Sequence, residues 1–197
     1  MRRRDRSSTE AALIEAAKSE FVNRGYDAAT TRGIADAAGC SEVLIQRYFN
    51  GKEGLLLAVM REAQAEPGLA DFMARPLCAS LHDEARELMH KAMDSFVRKS
   101  GPIRIALARA MHDEAFSEEL ARISVRRELQ RGLRQRLVRY QQAGMIGEDR
   151  DIAGLVELLL SLNFQVGFIY PVLLQATAAK QRRLIEQFAV AFEKAAS

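Results

Sequence analysis

The sequence predicts an all-α protein, in which an N-terminal head of three helices precedes a larger bundle of helices. Leu, Ala, Glu, Arg and Gln dominate the middle and the end of the chain, and all five are good helix formers. Only 4 Pro and 12 Gly interrupt the 197 residues, so long helices can form. Long runs in which Val, Ile and Thr alternate with polar residues are missing from the sequence, which argues against a sheet.

The composition is that of a folded protein rather than a disordered chain. Hydrophobic residues make up 48% of the sequence and charged residues 28%, which supplies enough apolar surface for a core. The net charge of +3 permits binding to nucleic acid without demonstrating it. Two cysteines do not form a disulfide framework, and no apolar signal-peptide core follows the N-terminal arginines. We therefore expect a cytoplasmic protein.

One apolar stretch, residues 152–176, is long enough to span a bilayer. It contains Glu157, Asn163, Gln165 and Pro171, and it lacks Trp anchors. A helix buried between two subunits has the same composition, and we prefer that interpretation to a membrane span.

The first predicted helix begins at Ser7, whose hydroxyl is placed to cap it, while Glu10 reaches back to the Ser7 amide. Apolar residues at four-residue spacing then give the helix one apolar face, at Leu13, Ala17 and Phe21. Gly25 is placed to end the helix.

Two short helices joined by a glycine turn follow the first helix. Residues 30–31 cap the helix 32–38, residues 39–40 form a tight turn, and Ser41 caps a second short helix that runs to Phe49. Asn50 is expected to cap a fourth helix. This pattern indicates a helix-turn-helix, in which the second helix can enter the major groove of DNA while the first braces it against the backbone.

The chain is predicted to divide into a head at residues 1–52 and a body at residues 53–197, with a fourth helix, 52–66, connecting them. Pro67-Gly68 breaks the helical pattern, and a loose stretch runs from there to Pro76. Five helices are expected in the body, at approximately 80–100, 102–114, 117–143, 151–175 and 178–196.

The order and spacing of residues in the head resemble the tetracycline-repressor (TetR) family. The residues that carry the resemblance are Leu13-Ile14-Glu15-Ala16-Ala17, Phe21, Gly25-Tyr26, Thr30-Thr31, Ile34-Ala35-Asp36-Ala37-Ala38-Gly39, Arg47-Tyr48-Phe49, Lys52-Glu53 and Leu55-Leu56. The helical remainder of the chain is compatible in length with the family but carries no family-wide motif. The resemblance implies a DNA-binding repressor that binds a palindromic operator and is released by a small-molecule effector.

The resemblance also implies roles for individual residues of the head. Thr30 and Thr31 start the second helix, where hydroxyls and free backbone amides can meet a phosphate, and Arg32 adds charge beside them. Tyr48 and Lys52 look like the phosphate-contacting tyrosine and lysine of the family. The full set of expected DNA contacts is Arg4, Thr30, Thr31, Arg32, Ser41, Glu42, Val43, Leu44, Gln46, Arg47, Tyr48 and Lys52.

Three positions of the recognition helix depart from the family pattern. Glu42 stands where Lys or Arg is common, and it either accepts from a cytosine amino group or is a solvated carboxylate at the N-terminus of a helix. Gln46 could pair with adenine. Leu44 could touch a thymine methyl or pack on the second helix. The sequence therefore predicts the fold of the head more firmly than its base contacts.

The body is expected to bind the effector and to form the dimer. An apolar effector pocket is expected from the family resemblance, and its candidate lining residues are Phe96, Leu107, Met111 and Phe116. The last two helices carry apolar positions that need cover from a twofold partner, which predicts a four-helix bundle between two chains. The candidate interface residues are Leu155, Leu159, Leu162, Leu184, Phe188, Ala191, Phe192 and Ala195.

Two further features of the body have more than one interpretation. Asp83, Glu87, His90 and Asp94 share a helix face that could hold a metal, but a solvated acidic face is the preferred interpretation, since the apolar residues of that helix lie opposite. Arg122, Arg126 and Arg136 fall near an apolar face, so each needs a partner, either a nearby Glu or an anionic effector. An internal salt bridge is the preferred one.

No nucleophile–base motif, phosphate-binding loop or metal signature is found in the sequence, so we expect no enzyme, no catalytic residues, no metal and no cofactor. The predicted function is a sequence-specific regulator of transcription that acts as a homodimer on double-stranded DNA. The alternative is a helical ligand-binding or enzymatic bundle without DNA binding, which would leave the first 60 residues without a use.

Overall fold

A computed structural model describes residues 5–65 and 69–197, and within those ranges every regular element is helical. The predicted all-α class is therefore confirmed. The N-terminal part holds α1 (Arg6–Arg24), α2 (Thr31–Ala38), α3 (Val43–Phe49) and α4 (Lys52–Gln64). The remainder holds α5 (Leu69–Ala74), α6 (Leu81–Arg98), α7 (Ser100–Ala110), α8 (Glu114–Ile123), α9 (Arg126–Gln142), α10 (Ile152–Phe164), a π-helical segment (Gln165–Leu173) and α11 (Ala178–Ala196).

The chain forms two compact units that each contain two segments of sequence. Unit 1 comprises residues 1–65 and 101–124, and unit 2 comprises residues 66–100 and 125–197. Unit 1 therefore includes helix four and the segment 101–124 in addition to the predicted head. The compact units divide the chain at residues 65, 100 and 124. The predicted division after residue 52 concerns which part binds DNA and which part binds the effector, and it stays a prediction.

The core of unit 1 is built from apolar faces of α1, α2 and α3 and from a fully buried turn of α4. Leu13, Ala17 and Phe21 of α1 are at most 1% exposed, as their four-residue spacing predicts. Around them lie Ile34 and Ala35 of α2, Ile45 of α3 and the buried row Leu55–Met60 of α4. The segment 101–124 adds Ala106 and Phe116, both fully buried in the same core.

The helix predicted at residues 117–143 is two helices in the structure, α8 and α9. Ser124 leaves the helical region, with a ψ of 130°, and α9 begins two residues later. The break falls in Ile123-Ser124-Val125, and all three residue types are weaker helix formers than the Leu, Arg and Gln around them. The same break separates the two compact units.

Three predicted helix caps are wrong, and each error is small. Asp5, not Ser7, caps α1, because its carboxylate accepts from the Ser7 amide at 2.7 Å. Glu42, not Ser41, precedes α3, and it makes no capping hydrogen bond. Asn50 ends α3 in the left-handed conformation, with a φ of 60°, and Gly51 precedes α4. The cap predicted at Thr30 is confirmed, since its hydroxyl accepts from the Gly33 amide at 3.0 Å.

The loose stretch predicted between residues 67 and 76 contains the short helix α5. Residues 73–78 are tied to α6 and α9 by the buried guanidinium of Arg136, which donates to the carbonyl oxygens of Met73, Arg75 and Pro76 at 2.7–3.0 Å. Because Arg136 satisfies these carbonyl oxygens, residues 73–78 can be buried without the hydrogen bonds that a helix would supply.

Arg136 finds its charge partner inside unit 2, as the preferred interpretation of the sequence expected. Its Nε and Nη2 donate to the two oxygens of Glu84 at 2.5 and 2.8 Å, and both side chains are almost wholly buried. The hydroxyl of Tyr140 also donates to Glu84, at 2.7 Å. Burial alone raises the pKa of Glu84, but the hydrogen bonds from Arg136 and Tyr140 outweigh it and hold that pKa below its ordinary value.

The span Ile152–Leu173, formed by α10 and the π-helical segment, is long and apolar enough to cross a membrane, and half of it is buried inside the protein. Leu155, Val156 and Leu159 of this span belong to the core of unit 2. The core helix of a soluble protein passes the same test of length and composition, while burial between two subunits stays a prediction.

Candidate DNA-binding face

The α2–turn–α3 unit is compact because small residues and one glycine lie where the two helices meet. Ile34, Ala35 and Ala38 of α2 are buried, while Arg32 and Asp36 are exposed. Gly39 adopts the left-handed conformation, with a φ of 65°, which most side chains disfavour. The amides of Gly39 and Cys40 return to the Asp36 and Ala35 carbonyls at 3.1 and 3.0 Å, so the last carbonyls of α2 are satisfied within the turn.

Helix α3 is anchored by a single buried residue and presents the rest of its side chains outward. Ile45 is 1% exposed, and Leu44, Tyr48 and Phe49 are partly covered. The exposed side chains are Ser41, Glu42, Val43, Gln46, Arg47 and Asn50. Val43 is 71% exposed at the start of the helix, an unusual position for a large apolar residue of a protein with a formed core. Such a helix is suited to insertion into a groove.

Helix α4 passes close to the end of α3, and glycine makes this possible. A Cβ atom at Gly54 would lie 1.7 Å from the carbonyl oxygen of Phe49, a distance that no side chain tolerates. Gly54 therefore fixes the angle between α3 and α4, although sequence reasoning did not single it out.

A hydrogen bond joins the beginnings of the two helices of the motif. The Thr31 hydroxyl donates to the Glu42 carboxylate at 2.5 Å. Both residues were expected to contact DNA, and here each is occupied by the other. This contact favours a structural role for Glu42 over recognition of cytosine.

The polar side chains of α3 are also ordered by local contacts. The Gln46 amide donates to the side-chain oxygen of Asn50 at 3.1 Å. The Arg47 guanidinium lies 6.0 Å from the centre of the Tyr48 ring. Both Gln46 and Arg47 stay exposed, so they remain available to a ligand in front of the helix.

Arg6 is a candidate contact that the sequence did not reveal. Its guanidinium lies 5.1 Å from the centre of the Tyr48 ring and pairs with Glu10 at 2.7 Å. Within the basic N-terminal segment the DNA contact was expected at Arg4, which lies outside the described residues. Only the folding of α1 beside α3 brings Arg6 to Tyr48, so no spacing in the sequence signals it.

Lys52 lies at the N-terminus of α4, over the ring of Tyr26. Its ammonium is 4.3 Å from the ring centre and donates to the Asp27 carbonyl at 3.4 Å. Partial burial lowers the pKa of Lys52, with nearby Asp27 acting against that shift and Arg109 adding to it. Gly51 offers no side-chain cap, so the first amides of α4 are left to bind an anion beside the ammonium.

A groove of about 360 Å³ opens on unit 1 beside this face. It is lined by Tyr48, Phe49, Asn50, Glu53, Gly54, Leu57, Arg61 and Glu119. The groove places Tyr48 and the start of α4 along one continuous concave surface.

The four residues expected to line an effector pocket fall in different surroundings. Phe96 belongs to unit 2 and packs against Phe164 and Phe168 with ring centres 5.6 and 6.2 Å away. Leu107, Met111 and Phe116 belong to unit 1, where Leu107 is half-buried, Met111 is 81% exposed and Phe116 lies in the core.

The residues expected at the dimer interface separate into two groups. Leu155, Leu159 and Phe192 are at most 6% exposed and lie in the core of unit 2. The remaining five are partly or fully exposed in the single chain, at Leu162, Leu184, Phe188, Ala191 and Ala195.

The acidic face of α6 is engaged in protein contacts. Asp83 accepts from Ser80 at 2.9 Å and pairs with Arg86, and Glu87 pairs with Arg75 at 3.0 Å. Within residues 5–65 and 69–197, no three His, Cys, Asp or Glu side chains come together as a metal-binding group.

Two short helices packed through a glycine turn, with the second exposing nearly all its polar side chains, define a helix-turn-helix head. Residues 13–59 of this head match the family described as "Bacterial regulatory proteins, tetR family". The N-terminal head is therefore that of a tetR-family regulator, and the match covers about a quarter of the chain.

Relatives and solved structures agree with this assignment. The HTH-type transcriptional repressor AcnR of Corynebacterium glutamicum is 37% identical over 68 residues, which span 31% of this chain and 36% of AcnR. GusR of Salmonella enterica shares the fold, with a TM-score of 0.74 and 20% identity over 97% of this chain and 98% of GusR. FadR of Bacillus subtilis, solved in complex with stearoyl-CoA, has a TM-score of 0.70 and 16% identity over 94% of this chain and 98% of FadR. Sequence similarity thus covers the head, and structural similarity covers the whole chain.

Proposed function

We propose that the protein is a sequence-specific DNA-binding regulator of transcription, which acts as a homodimer and leaves its operator when a small molecule binds. The observation that carries this proposal is α3, a short helix on which Ile45 is buried, Leu44, Tyr48 and Phe49 are partly covered, and Val43, Gln46 and Arg47 are exposed. An enzyme or a simple ligand-binding bundle has no use for such a helix after a glycine turn.

The residues of the head divide by the kind of DNA contact they suit. Gln46, Arg47 and Val43 are exposed on α3. Gln46 and Arg47 can form hydrogen bonds with base edges in the major groove, and the Val43 methyl groups can contact a thymine methyl. Tyr48, Lys52 and the exposed Arg6 and Arg32 suit phosphates, which position the head without reading sequence. Thr30 caps α2, Thr31 and Glu42 bond each other, Ser41 and Leu44 lie beside these contacts, and Arg4 lies outside the described residues.

The apolar stripe on α11 supports the proposed homodimer. Leu184, Phe188, Ala191 and Ala195 lie on one face of the helix, next to the face that packs into the core. Two such faces related by a twofold axis, together with Leu162 of α10, suit a four-helix bundle. Two heads on one dimer then suit the two half-sites of a palindromic operator.

The effector is proposed to be an apolar small molecule. Support comes from FadR, whose structure was solved in complex with stearoyl-CoA, and from the three-phenylalanine cluster of Phe96, Phe164 and Phe168 in this chain. A thermal-shift screen that includes fatty acids and stearoyl-CoA tests this, because a ligand of the folded state raises the melting temperature. A binder that also releases DNA is the expected result.

Regulators of this family are not enzymes, and no catalytic role is proposed here. The proposed place of action is the cytoplasm, where the chromosome of a bacterium lies. The alternative of a bundle without DNA binding is tested by the same experiment as the proposal.

That experiment is a gel-shift assay with the DNA upstream of the protein's own gene. We expect a shifted band that unlabelled copies of the same fragment abolish and that unrelated DNA of equal length does not. Replacement of both Gln46 and Arg47 by Ala should remove this preference, because the exposed donors of α3 are lost. Binding with no preference over unrelated DNA contradicts the proposal.

A matched control separates recognition from folding. Asn23 and Arg24 are exposed on α1 of the same unit, so their double replacement by Ala likewise removes one amide and one guanidinium from the surface. The control should keep the sequence preference of the wild type. Equal loss in both variants overturns the assignment of α3 as the recognition helix.

A further inference from the structure

Arg109, at the end of α7, is joined to the start of α4 by an ion pair. Its Nη2 lies 3.2 Å from the Glu53 carboxylate, and it also pairs with Asp113. Glu53 follows Lys52 directly in the chain, so the Glu53 carboxylate stands next to the cation proposed to meet a phosphate. All four groups belong to unit 1.

Tyr26 is a shared platform for the two cations. The Lys52 ammonium lies 4.3 Å and the Arg109 guanidinium 5.7 Å from the centre of its ring. Each position is favourable for a cation, because the face of an aromatic ring is electronegative. The ring therefore holds Lys52 and Arg109 in one cluster with the two carboxylates.

The position of Arg109 is itself well determined by the fold. Asp113, its second partner, caps α8 by accepting from the Phe116 amide at 3.0 Å. Phe116 is fully buried in the core of unit 1, next to α4 in the same cluster. The segment 101–124 is thus anchored in the head by apolar packing, and Arg109 is its charged contact with the N-terminus of α4.

Among the four paired side chains of the cluster the charges balance only when Arg109 is present, and the Asp27 carboxylate, which also acts on Lys52, lies outside this count. Lys52 and Arg109 carry two positive charges, and Glu53 and Asp113 carry two negative ones. Without Arg109 the same cluster has a net charge of −1, on a face that must approach the phosphate backbone of DNA. Like charges at this range repel, and the repulsion weakens with salt.

We propose that Arg109 is a positioning residue for DNA binding, which neutralises Glu53 and thereby leaves Lys52 free to hold a phosphate. This inference rests on the proposed function. It extends the DNA-binding machinery beyond the family-matched residues 13–59 to a helix that the sequence assigned to the body. It also makes the end of α7 a place at which any displacement changes DNA affinity.

The test measures binding of the full chain to a fluorescein-labelled 30-base-pair duplex of random sequence, by anisotropy between 50 and 200 mM salt. Random DNA is chosen because the inference concerns phosphates only. Arg109→Met should weaken binding by about fivefold at the lowest salt, the size of effect expected for a partly exposed ion pair. Arg109→Lys keeps the charge and should stay within about twofold of the wild type.

The decisive variant is the double change Arg109→Met with Glu53→Gln. It restores the charge balance of the cluster, so we expect affinity within about twofold of the wild type and an unchanged salt slope. If Arg109 served folding alone, or touched DNA itself, Glu53→Gln would not restore binding, and the inference would be overturned. Equal loss in Arg109→Lys and Arg109→Met overturns it as well.

Arg104→Met is the matched control for the loss of one arginine from the segment 101–124. Arg104 is exposed on α7 and is not among the residues that line the groove beside Tyr48, so binding should stay within about twofold of the wild type. A loss as large as that of Arg109→Met means that overall charge is being measured, and it counts against the inference. If the wild type binds no DNA at all, the proposed function is overturned. This outcome is distinct from failure of the Arg109 inference, in which the wild type binds DNA but the variants do not behave as expected.

Discussion

At the scale of single residues, the site is governed by which charges are free and which are already paired. Glu42 and Thr31 satisfy each other across the turn, and Glu53 is neutralised by Arg109. Lys52 donates only to a backbone carbonyl, at 3.4 Å, so an incoming phosphate can replace that weak contact.

Replacement of Lys52 by Ala should weaken binding equally on all DNA sequences, because phosphate contacts position a protein without reading bases. The slope of log affinity against log salt concentration should become shallower by about one contact. Anisotropy titrations with operator and random duplexes measure both quantities. A changed sequence preference with an unchanged salt slope would contradict the role given to Lys52.

Glu84 is the buried charge on which unit 2 depends most. Its two oxygens accept from Arg136 and Tyr140, and Arg75 adds a third contact at 3.3 Å. Glu84→Gln should lower the free energy of unfolding by about 3 kcal/mol at pH 7, because it leaves the Arg136 charge buried and uncompensated. Urea unfolding followed by circular dichroism measures the change.

The pH dependence of that loss has a definite sign. The folded pKa of Glu84 is lower than its unfolded pKa, which is about 4.3, so its contribution is fully present above the unfolded value. As pH falls through the folded pKa the contribution disappears, and the difference between wild type and Glu84→Gln should shrink. Glu87→Gln, half-exposed on the same helix, is the control and should cost at most about 1 kcal/mol.

At the scale of elements, two close approaches decide how helices pack. Gly54 lets α4 pass the end of α3 in unit 1. In unit 2, Gly167 of the π-helical segment lies against α6, where an added Cβ would be 2.5 Å from Cδ2 of Phe96 and 3.2 Å from the Ala92 carbonyl oxygen. Helical segments of the π type are rare and are often found at functional sites.

Gly167→Ala should destabilise unit 2 by about 1–3 kcal/mol, because Phe96 would have to leave its contacts with Phe164 and Phe168. Gly132→Ala is the matched control on α9. Its added Cβ would meet only the flexible side chain of Met73, at 3.2 Å, and alanine is the better helix former by about 1 kcal/mol. Thermal unfolding of both variants should give opposite shifts in Tm; a Gly167→Ala protein as stable as the wild type would contradict the packing described.

At the scale of the whole molecule, the proposed dimer concerns the apolar stripe on α11, where Leu184 and Phe188 are partly buried and Ala191 and Ala195 are exposed in the single chain. Phe192 turns into the core of unit 2, while Leu184, Phe188, Ala191 and Ala195 form the neighbouring stripe. The helix packs on its own chain with one face, and the adjacent face is the one that the proposed homodimer would use.

Phe188→Asp should convert a dimer into monomers or aggregates and abolish operator binding, although residues 13–59 are untouched, because one head alone reads a half-site. Analytical ultracentrifugation at micromolar concentration measures the mass. Val190→Asp is the control, since Val190 is 42% exposed on α11 but lies outside the stripe. A wild-type monomer that binds a palindromic operator tightly would rule out the proposed dimer.

The sequence by itself determined the helical class, the turn at Gly39, the cap at Thr30 and the apolar faces of α1 and α2. These features are local: they depend on periodicity, on left-handed backbone and on hydroxyl caps, which neighbouring residues decide. The same reasoning found that Arg136 needs an internal partner, because a buried cation cannot stay unpaired.

The tertiary structure alone decided which distant residues share a surface. Arg6 contacts Tyr48 and Arg109 contacts Glu53, although the two residues of each pair are far apart in the sequence. Phe116 lies in the core of unit 1, although the sequence assigned it to the effector pocket of the body. The structure also divided the predicted interface residues, since burial of Leu155 and Phe192 depends on packing against other helices. Contacts of this kind arise from the relative placement of helices, for which periodicity along one helix carries no information.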